Sequence, residues 1–238
     1  VTDPAFDFPG KIVRATLLKR YKRFLADCRL DDGTLVTAHC PNSGTMSTCW
    51  EEGCEAALTD HGETDRKLRY TLEMTKIGRG WVGVNTMWPN KVTAVALEAG
   101  VVPGIGAFET LRREVAYGKN SRIDILLEGK KGRTWVEVKN TTLKDGAVVR
   151  FPDAVTERGL KHLHELESMV KAGDRAVLVF FVNRADVEIM SSAPAIDPDY
   201  AKALVKARRN GVELVALSTR RTLSGITVTG TLPIDLDR

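Results

Sequence analysis

The chain has 238 residues, 43% of them apolar and 28% charged, with a formal net charge of +4. Such a chain can bury one large core or two modest ones, and no stretch approaches the ~18 uncharged apolar residues of a membrane helix. Residues 1–10 contain no basic segment leading into an apolar one, so no export signal is visible and the expected location is the cytoplasm, off the membrane. The basic excess falls after residue 80; it permits a polyanionic partner without requiring one.

Residues 11–14, 24–30, 35–39 and 70–76 are β-like runs, and Asp31-Asp32-Gly33 is a hairpin turn between the second and third. Pro41-Asn42-Ser43-Gly44 is a turn or loop. About five short strands in some ~70 residues suggest a small all-β barrel of the OB type. Cys28, Cys40, Cys49 and Cys54 all fall in this part. His39 and His61 lie near them, but the spacing forms no paired zinc knuckle, and reduced, packed thiols are the expectation. Residues 11–23 carry Lys11, Arg14, Lys19, Arg20, Lys22 and Arg23 with no acid, beside Tyr21 and Phe24. A basic strip with aromatics suits a nucleic-acid strand, through phosphate contacts and base stacking.

The pattern changes after Trp81. Asn90 can cap a helix over 91–99 that Gly100 closes. Runs at 111–117, 123–127 and 134–139, joined by a Gly118-Lys119-Asn120 turn and a Gly129-Lys130-Lys131-Gly132 turn, predict an antiparallel meander. A helix follows over 154–172, with Val155, Leu163, Leu166 and Val170 near helical spacing. Residues 176–182 are an apolar strand covered on both faces, and 199–210 and 212–217 are a second helix and strand. The predicted architecture is an α/β (mixed α+β) domain at 81–238 behind the barrel at 1–80.

Within Trp135-Val136-Glu137-Val138-Lys139, strand alternation places Trp135, Glu137 and Lys139 on one face and Val136 and Val138 on the other. On residues 122–127, Ile123, Ile125 and Leu127 are expected to face one way and Asp124 the other, so paired strands would set Asp124 beside Glu137. Adjacent ionised carboxylates repel, and a divalent cation resolves that. Hard oxygen ligands suit Mg²⁺ or Mn²⁺, with the Val138 carbonyl as a third protein ligand, and Lys139 could orient water or steady charge on a phosphate. The plain alternative is a solvated charge pair on a strand.

Taken with Val82-Gly83-Val84-Asn85-Thr86, Pro89-Asn90, Ser121-Arg122-Ile123-Asp124, Val136-Glu137-Val138-Lys139 and the stretch from Phe151 to Gly159 with His162-Leu163, the chain resembles the sugar fermentation stimulation protein A (SfsA) family. The resemblance runs from about residue 10 to Pro233. Pro41-Asn42-Ser43-Gly44-Thr45-Met46 looks like the family's Pro-Asn-Thr-Gly-Arg-Met/Leu loop, except that Ser43 replaces Thr and Thr45 replaces Arg. The resemblance implies an N-terminal OB-like barrel and a restriction-endonuclease-like domain of the PD-(D/E)XK nuclease superfamily. It implies DNA binding, single- or double-stranded, and a link to sugar, notably maltose, metabolism. Asp124, Glu137 and Lys139 then fall on metal-binding and catalytic positions. Arg122, Arg158 and His162 become expected DNA contacts beside Lys19, Arg20, Lys22 and Arg23, and Glu98, Asn42 and Asn85 are further candidates. The rival reading is a non-cutting DNA-binding regulator on a nuclease-like scaffold.

Overall fold

The computed structural model describes residues 5–63, 65–117 and 121–238; the expected Gly118-Lys119-Asn120 turn lies outside them. Strands β2 (Lys11–Tyr21), β3 (Leu25–Leu30), β4 (Leu35–His39), β5 (Glu55–Asp60), β6 (Tyr70–Ile77) and β7 (Gly80–Gly83) form a six-stranded sheet in the order β4-β3-β2-β5-β6-β7. A short parallel pairing of β4 with β6 closes it into a barrel. β2 is longer than expected because an irregularity between Leu17 and Lys19 lets one half pair with β5 and the other with β3. β5, which carries no clear alternation, is buried over its middle four residues and was not expected.

The barrel core holds Leu17, Leu58, Leu72 and Met46 together with all four cysteines. Burial pushes each thiol up, Cys28 to about 12, so these are packing groups and not nucleophiles. Among the described residues, no group of three or more His, Cys, Asp or Glu is placed to hold a metal ion.

The second sheet has the order β1-β16-β15-β13-β10-β9-β8, from β1 (Ala5–Asp7), β8 (Thr110–Tyr117), β9 (Ser121–Gly129), β10 (Gly132–Thr141), β13 (Arg175–Val182), β15 (Glu213–Arg221) and β16 (Gly225–Leu232). β8, β9 and β10 make the expected antiparallel meander, and β10-β13-β15 is parallel. Helix α1 (Trp88–Glu98) covers one face with Val136, Val138, Val177 and Val179 beneath it. Helices α2 (Glu157–Lys171) and α3 (Pro198–Arg209) cover the other, over Trp135, Leu178 and Phe180. Covered on both sides, β13 is buried from Ala176 to Val182. A small sheet of β11 (Leu143–Asp145), β12 (Val148–Phe151) and β14 (Ile189–Ser192) flanks the site described below. No helix among the described residues is long and apolar enough to cross a membrane.

Several local expectations shift. Residue 80 is the first residue of β7, and β1 pairs with β16, so the two sheets do not divide the chain there. α1 starts before Asn90, because Pro89 suits a first turn whose N–H groups have no intrahelical acceptor. Asn85 Oδ1 instead accepts from Met87 N at 2.9 Å, just ahead of the helix. α2 starts at Glu157, where Thr156 accepts from Gly159 N, and leaves Val155 exposed outside the helix. Ile123 packs under α2 and α3 while Ile125 packs under α1, so the two do not share a face. Opposite Asp124, Glu114 adopts φ 53° and drops out of the β8–β9 ladder, and the strand turns over at that point.

The domains are latched. Gly83 N donates to Asn183 O at 2.8 Å, and a Cβ at Gly83 would sit 2.2 Å from Arg221 Nε, so only glycine allows this approach. The buried Arg184 joins Thr48 O (3.1 Å) from the barrel to Thr142 O (2.8 Å) and Asp186 from the second domain.

Candidate active site

The β9–β10 ladder ends at Val136↔Ile125. Beyond it β9 stays with β8 and β10 stays with β13, so the two strands part at the next register pair, Glu137 and Asp124. The Asp124 carboxylate fills the gap. Its Oδ2 accepts from the Val138 backbone N–H at 2.7 Å, replacing a lost ladder bond, and its Oδ1 accepts from Asn90 Nδ2 at 2.7 Å. Thus the N-terminal turn of α1 and the edge of β10 hold the acid from two sides.

Glu137 is 2% exposed. Its Oε1 accepts from Lys139 Nζ at 2.7 Å and meets His162 Nδ1, which also lies 3.1 Å from Lys139 Nζ. Arg158 Nε donates to His162 Nε2 at 3.4 Å. One neutral tautomer satisfies both ends of the ring: Nδ1–H donates to Glu137 and Nε2 accepts from Arg158. Glu137 Oε2 is buried with no hydrogen-bond partner.

The two carboxyls respond oppositely to this setting. Burial and the charge of Glu137 push Asp124 up to about 6, against the Val138 N–H, Lys139 and Asn90. Burial would raise Glu137 as well, but His162 and Lys139 outweigh it and hold that carboxyl below the usual range. Two acids meeting in this way, one with an unused oxygen, fit a hard cation that takes carboxylate and carbonyl oxygens and fills its remaining positions with water.

Two cavities flank Lys139 and His162. One, of about 390 Å³, is lined by Asn42, Ser43, Gly44 and Thr86 on one side and by Lys139, Asn140, Arg150, Asp153 and Arg158 on the other. The second, of about 610 Å³, is lined by Ser121, Arg122, Arg158, Lys161 and His162. Arg158 borders both, and among the described residues its guanidinium hydrogen-bonds to His162.

Comparison with known proteins identifies the family of the chain. The family model described as "Sugar fermentation stimulation protein RE domain" matches residues 87–225, and that described as "SfsA N-terminal OB domain" matches 18–84. The chain belongs to the sugar fermentation stimulation protein family. It is 47% identical over 226 residues to a homolog from Geotalea uraniireducens (strain Rf4), covering 95% of this chain and 98% of the relative. It is 48% identical to a homolog from Geobacter sulfurreducens, covering 95% and 97%. The structure of Pyrococcus furiosus SfsA in complex with Ca²⁺ superposes with a TM-score of 0.88 at 25% identity, covering 99% of this chain and 100% of that one. The expected fold class therefore stands: an OB domain followed by a restriction-endonuclease-like α/β domain.

Within this family member the structure brings Asp124, Glu137, Val138, Lys139 and His162 together and sets Arg122 and Arg158 on the adjoining cavity wall. His162, expected to touch DNA, is instead buried between Glu137 and Lys139, because its face of α2 packs onto the sheet. Glu98 is exposed at the far end of α1, eight residues or about 12 Å along the helix axis from Asn90; it is not part of the site. Asn85 is buried and donates to Glu73 Oε2 at 2.8 Å, a structural duty away from the cavities beside Lys139.

Asn42 lines the first cavity, yet its side chain shapes its own loop, accepting from Gly44 N and donating to Val84 O. Arg20 is turned onto the same loop and donates to the carbonyls of Asn42 and Gly44 at 2.8 and 2.9 Å. Lys19, Lys22 and Arg23 are exposed at the β2–β3 hairpin, where Lys22 and Arg23 both have positive φ. The strand reading missed Asn90, Arg150 and Asp153. Asn90 and Asp153 stood in the family strings, Asn90 being read chiefly as a cap and Asp153 given no role; for Arg150 no local pattern distinguished a site residue from a surface charge.

Proposed function

We propose that the protein binds DNA and hydrolyses phosphodiester bonds at a divalent-cation site, with Mg²⁺ or Mn²⁺ held by Asp124, Glu137 and the Val138 carbonyl. The observation that carries this reading is the buried, partnerless Glu137 Oε2 at the register position facing Asp124, whose own carboxyl is pushed up by burial and by that neighbour. Most buried acids have both oxygens satisfied, and Glu137 differs from Glu165, whose Oε2 is also buried without a partner, in standing at the register position opposite a second acid.

A cation bound there would polarise a phosphoryl oxygen and lower the pKa of water. The chain's own groups do the rest. Lys139, fixed by Glu137 Oε1 and bordering the first cavity, donates to a non-bridging phosphate oxygen and orients the attacking water. His162 positions Glu137 through its Nδ1, Glu137 in turn fixes Lys139, and the Asn90 amide and the Val138 N–H hold the Asp124 carboxylate. Arg158 and Arg122 are placed to neutralise phosphates on the strand leaving the site.

The reading is tested by incubating the protein with end-labelled single-stranded and duplex DNA in Mg²⁺, Mn²⁺ or EDTA. Cleavage is expected with either metal, to stop in EDTA, and to be lost in Asp124→Ala and Lys139→Ala. Metal-independent binding with no cleavage of any substrate would overturn hydrolysis and leave a DNA-binding regulator.

A further inference from the structure

The Asn42–Thr45 loop of the barrel is more heavily built than a connecting turn requires. Arg20 holds the carbonyls of Asn42, Gly44 and Thr45, and Asn42 Oδ1 accepts from Gly44 N at 2.8 Å. The loop then crosses to the second domain, where Thr45 donates to Asp153 Oδ2 through its backbone N at 3.1 Å and its hydroxyl at 3.2 Å. Thr86 Oγ1 anchors the other end on Pro41 O at 2.6 Å. A Cβ on Gly44 would lie 2.6 Å from Asp153 Oδ2, so the contact depends on glycine.

This loop is one wall of the cavity of about 390 Å³ whose opposite wall carries Lys139, Arg150 and Arg158. Of the three cations, Lys139 is paired with Glu137 and Arg150 with Asp145, while Arg158 donates only to the neutral ring of His162 among the described residues; the lining acid, Asp153, is bonded to Thr45. The space therefore suits an anionic group bearing a flat, polar-edged ring. The cavity of about 390 Å³ is closed on its barrel side by a loop bonded to the second domain.

We propose that this cavity is a subsite for one nucleotide of a single-stranded polynucleotide, so that the barrel loop makes the site selective for single strands over duplex. The proposal rests on the phosphodiesterase reading above and goes beyond it by naming the substrate class. The nucleotide's phosphate pairs with Arg158 and Lys139, and its base lies along the Asn42–Gly44 main chain. The strand continues past Arg158 into the groove lined by Arg122. Duplex is excluded because the loop is bonded to the second domain and cannot swing aside without breaking the Thr45–Asp153 contacts.

The test measures fluorescence anisotropy in EDTA with a labelled strand of about 12 nucleotides and the same strand annealed to its complement. The wild type is compared with Ser43→Trp, which fills the cavity from an exposed loop position. It is also compared with Leu35→Trp, which adds the same ring to an exposed residue at the other end of β4. The wild type and Leu35→Trp should bind the strand about tenfold tighter than the duplex, and Ser43→Trp should lose about tenfold on the strand with its melting temperature unchanged. Duplex bound as tightly as the strand, or Ser43→Trp binding the strand like wild type, would overturn the subsite. Metal-dependent cleavage persisting in those cases would leave the nuclease reading intact, whereas no binding of either nucleic acid together with no cleavage in Mg²⁺ would remove both.

Discussion

Glu73 and Glu137 are both buried glutamates, 3% and 2% exposed, on central strands of their sheets, and they are partnered in opposite ways. Glu73 sits between the barrel and α1. Its Oε1 accepts from Thr59 Oγ1 at 2.7 Å, and its Oε2 from Asn85 Nδ2 at 2.8 Å and Trp88 Nε1 at 2.5 Å. Both oxygens are satisfied by neutral donors, and the acid binds the domains together. Glu137 takes a lysine and a histidine on one oxygen and leaves the other without a partner, on the residue that stands opposite Asp124 in register. Leaving a buried acceptor unmet costs about 1–3 kcal/mol, so most buried carboxylates that only hold structure saturate their acceptors. The free oxygen of Glu137, set opposite a second acid, is the feature on which the proposed cation site rests.

The largest effect expected from this contrast is on turnover. Lys139→Ala should lower the cleavage rate about 10³-fold, or about 4 kcal/mol in the barrier, in a gel assay with Mg²⁺. A rate within a few-fold of wild type would remove Lys139 from the machinery. Next in size, Glu73→Ala should cost about 3 kcal/mol in urea unfolding, because Thr59, Asn85 and Trp88 lose their acceptor together. The folded variant should still cleave, and a catalytic loss matching that of Lys139→Ala would erase the distinction between the two glutamates.

A smaller effect should separate the two acids of the site by pH, with divalent cations chelated. Asp124 is raised from 3.8 to about 6 on folding, so its contribution to stability is full below 3.8 and is lost as pH rises through about 6. Glu137 is lowered, so its contribution is present above 4.5 and is lost as pH falls through its depressed folded value. Relative to wild type, Asp124→Asn should gain stability as pH rises, and Glu137→Gln should gain it as pH falls. Parallel unfolding-versus-pH curves for the two variants would contradict the assigned environments.

The smallest effect belongs to the barrel's basic hairpin. Neutralising Lys19, Lys22 and Arg23 should weaken binding only a few-fold at moderate salt while lowering the log–log salt slope for a single strand by about 2. An unchanged slope would take the hairpin off the nucleic-acid path. Arg20 is set apart from these three because its guanidinium is committed to the Asn42–Thr45 carbonyls.

The parts of the site legible in the sequence are those governed by strand alternation. Glu137 and Lys139 share a face of β10 because side chains alternate, and Val136 and Val138 are buried under α1 for the same reason. The same rule failed for Ile123, where Glu114 on the neighbouring strand interrupts the ladder, a disturbance that residues 121–127 do not carry themselves. Asn90 was legible as a polar residue near a helix start but not as the group that holds Asp124, because the start moved back to Trp88 around Pro89. Glu98 looked like an added ligand only while its distance along α1 was unknown.

By itself, then, the sequence determined the meander at 111–139, the doubly covered strand at 176–182, the polar face of β10, and a family membership carried by strings spread along the chain, but not β5 or the strands of the small third sheet. Those features depend on neighbours a few residues apart and on residue type. Only the tertiary structure decided where β9 and β10 part to admit the Asp124 carboxylate, which Glu137 oxygen is left without a partner, and that a barrel loop lies across the cleft beside Lys139. Each of these is a contact between segments far apart in the chain. Its geometry follows from how whole sheets twist and dock, which no local pattern of residues encodes.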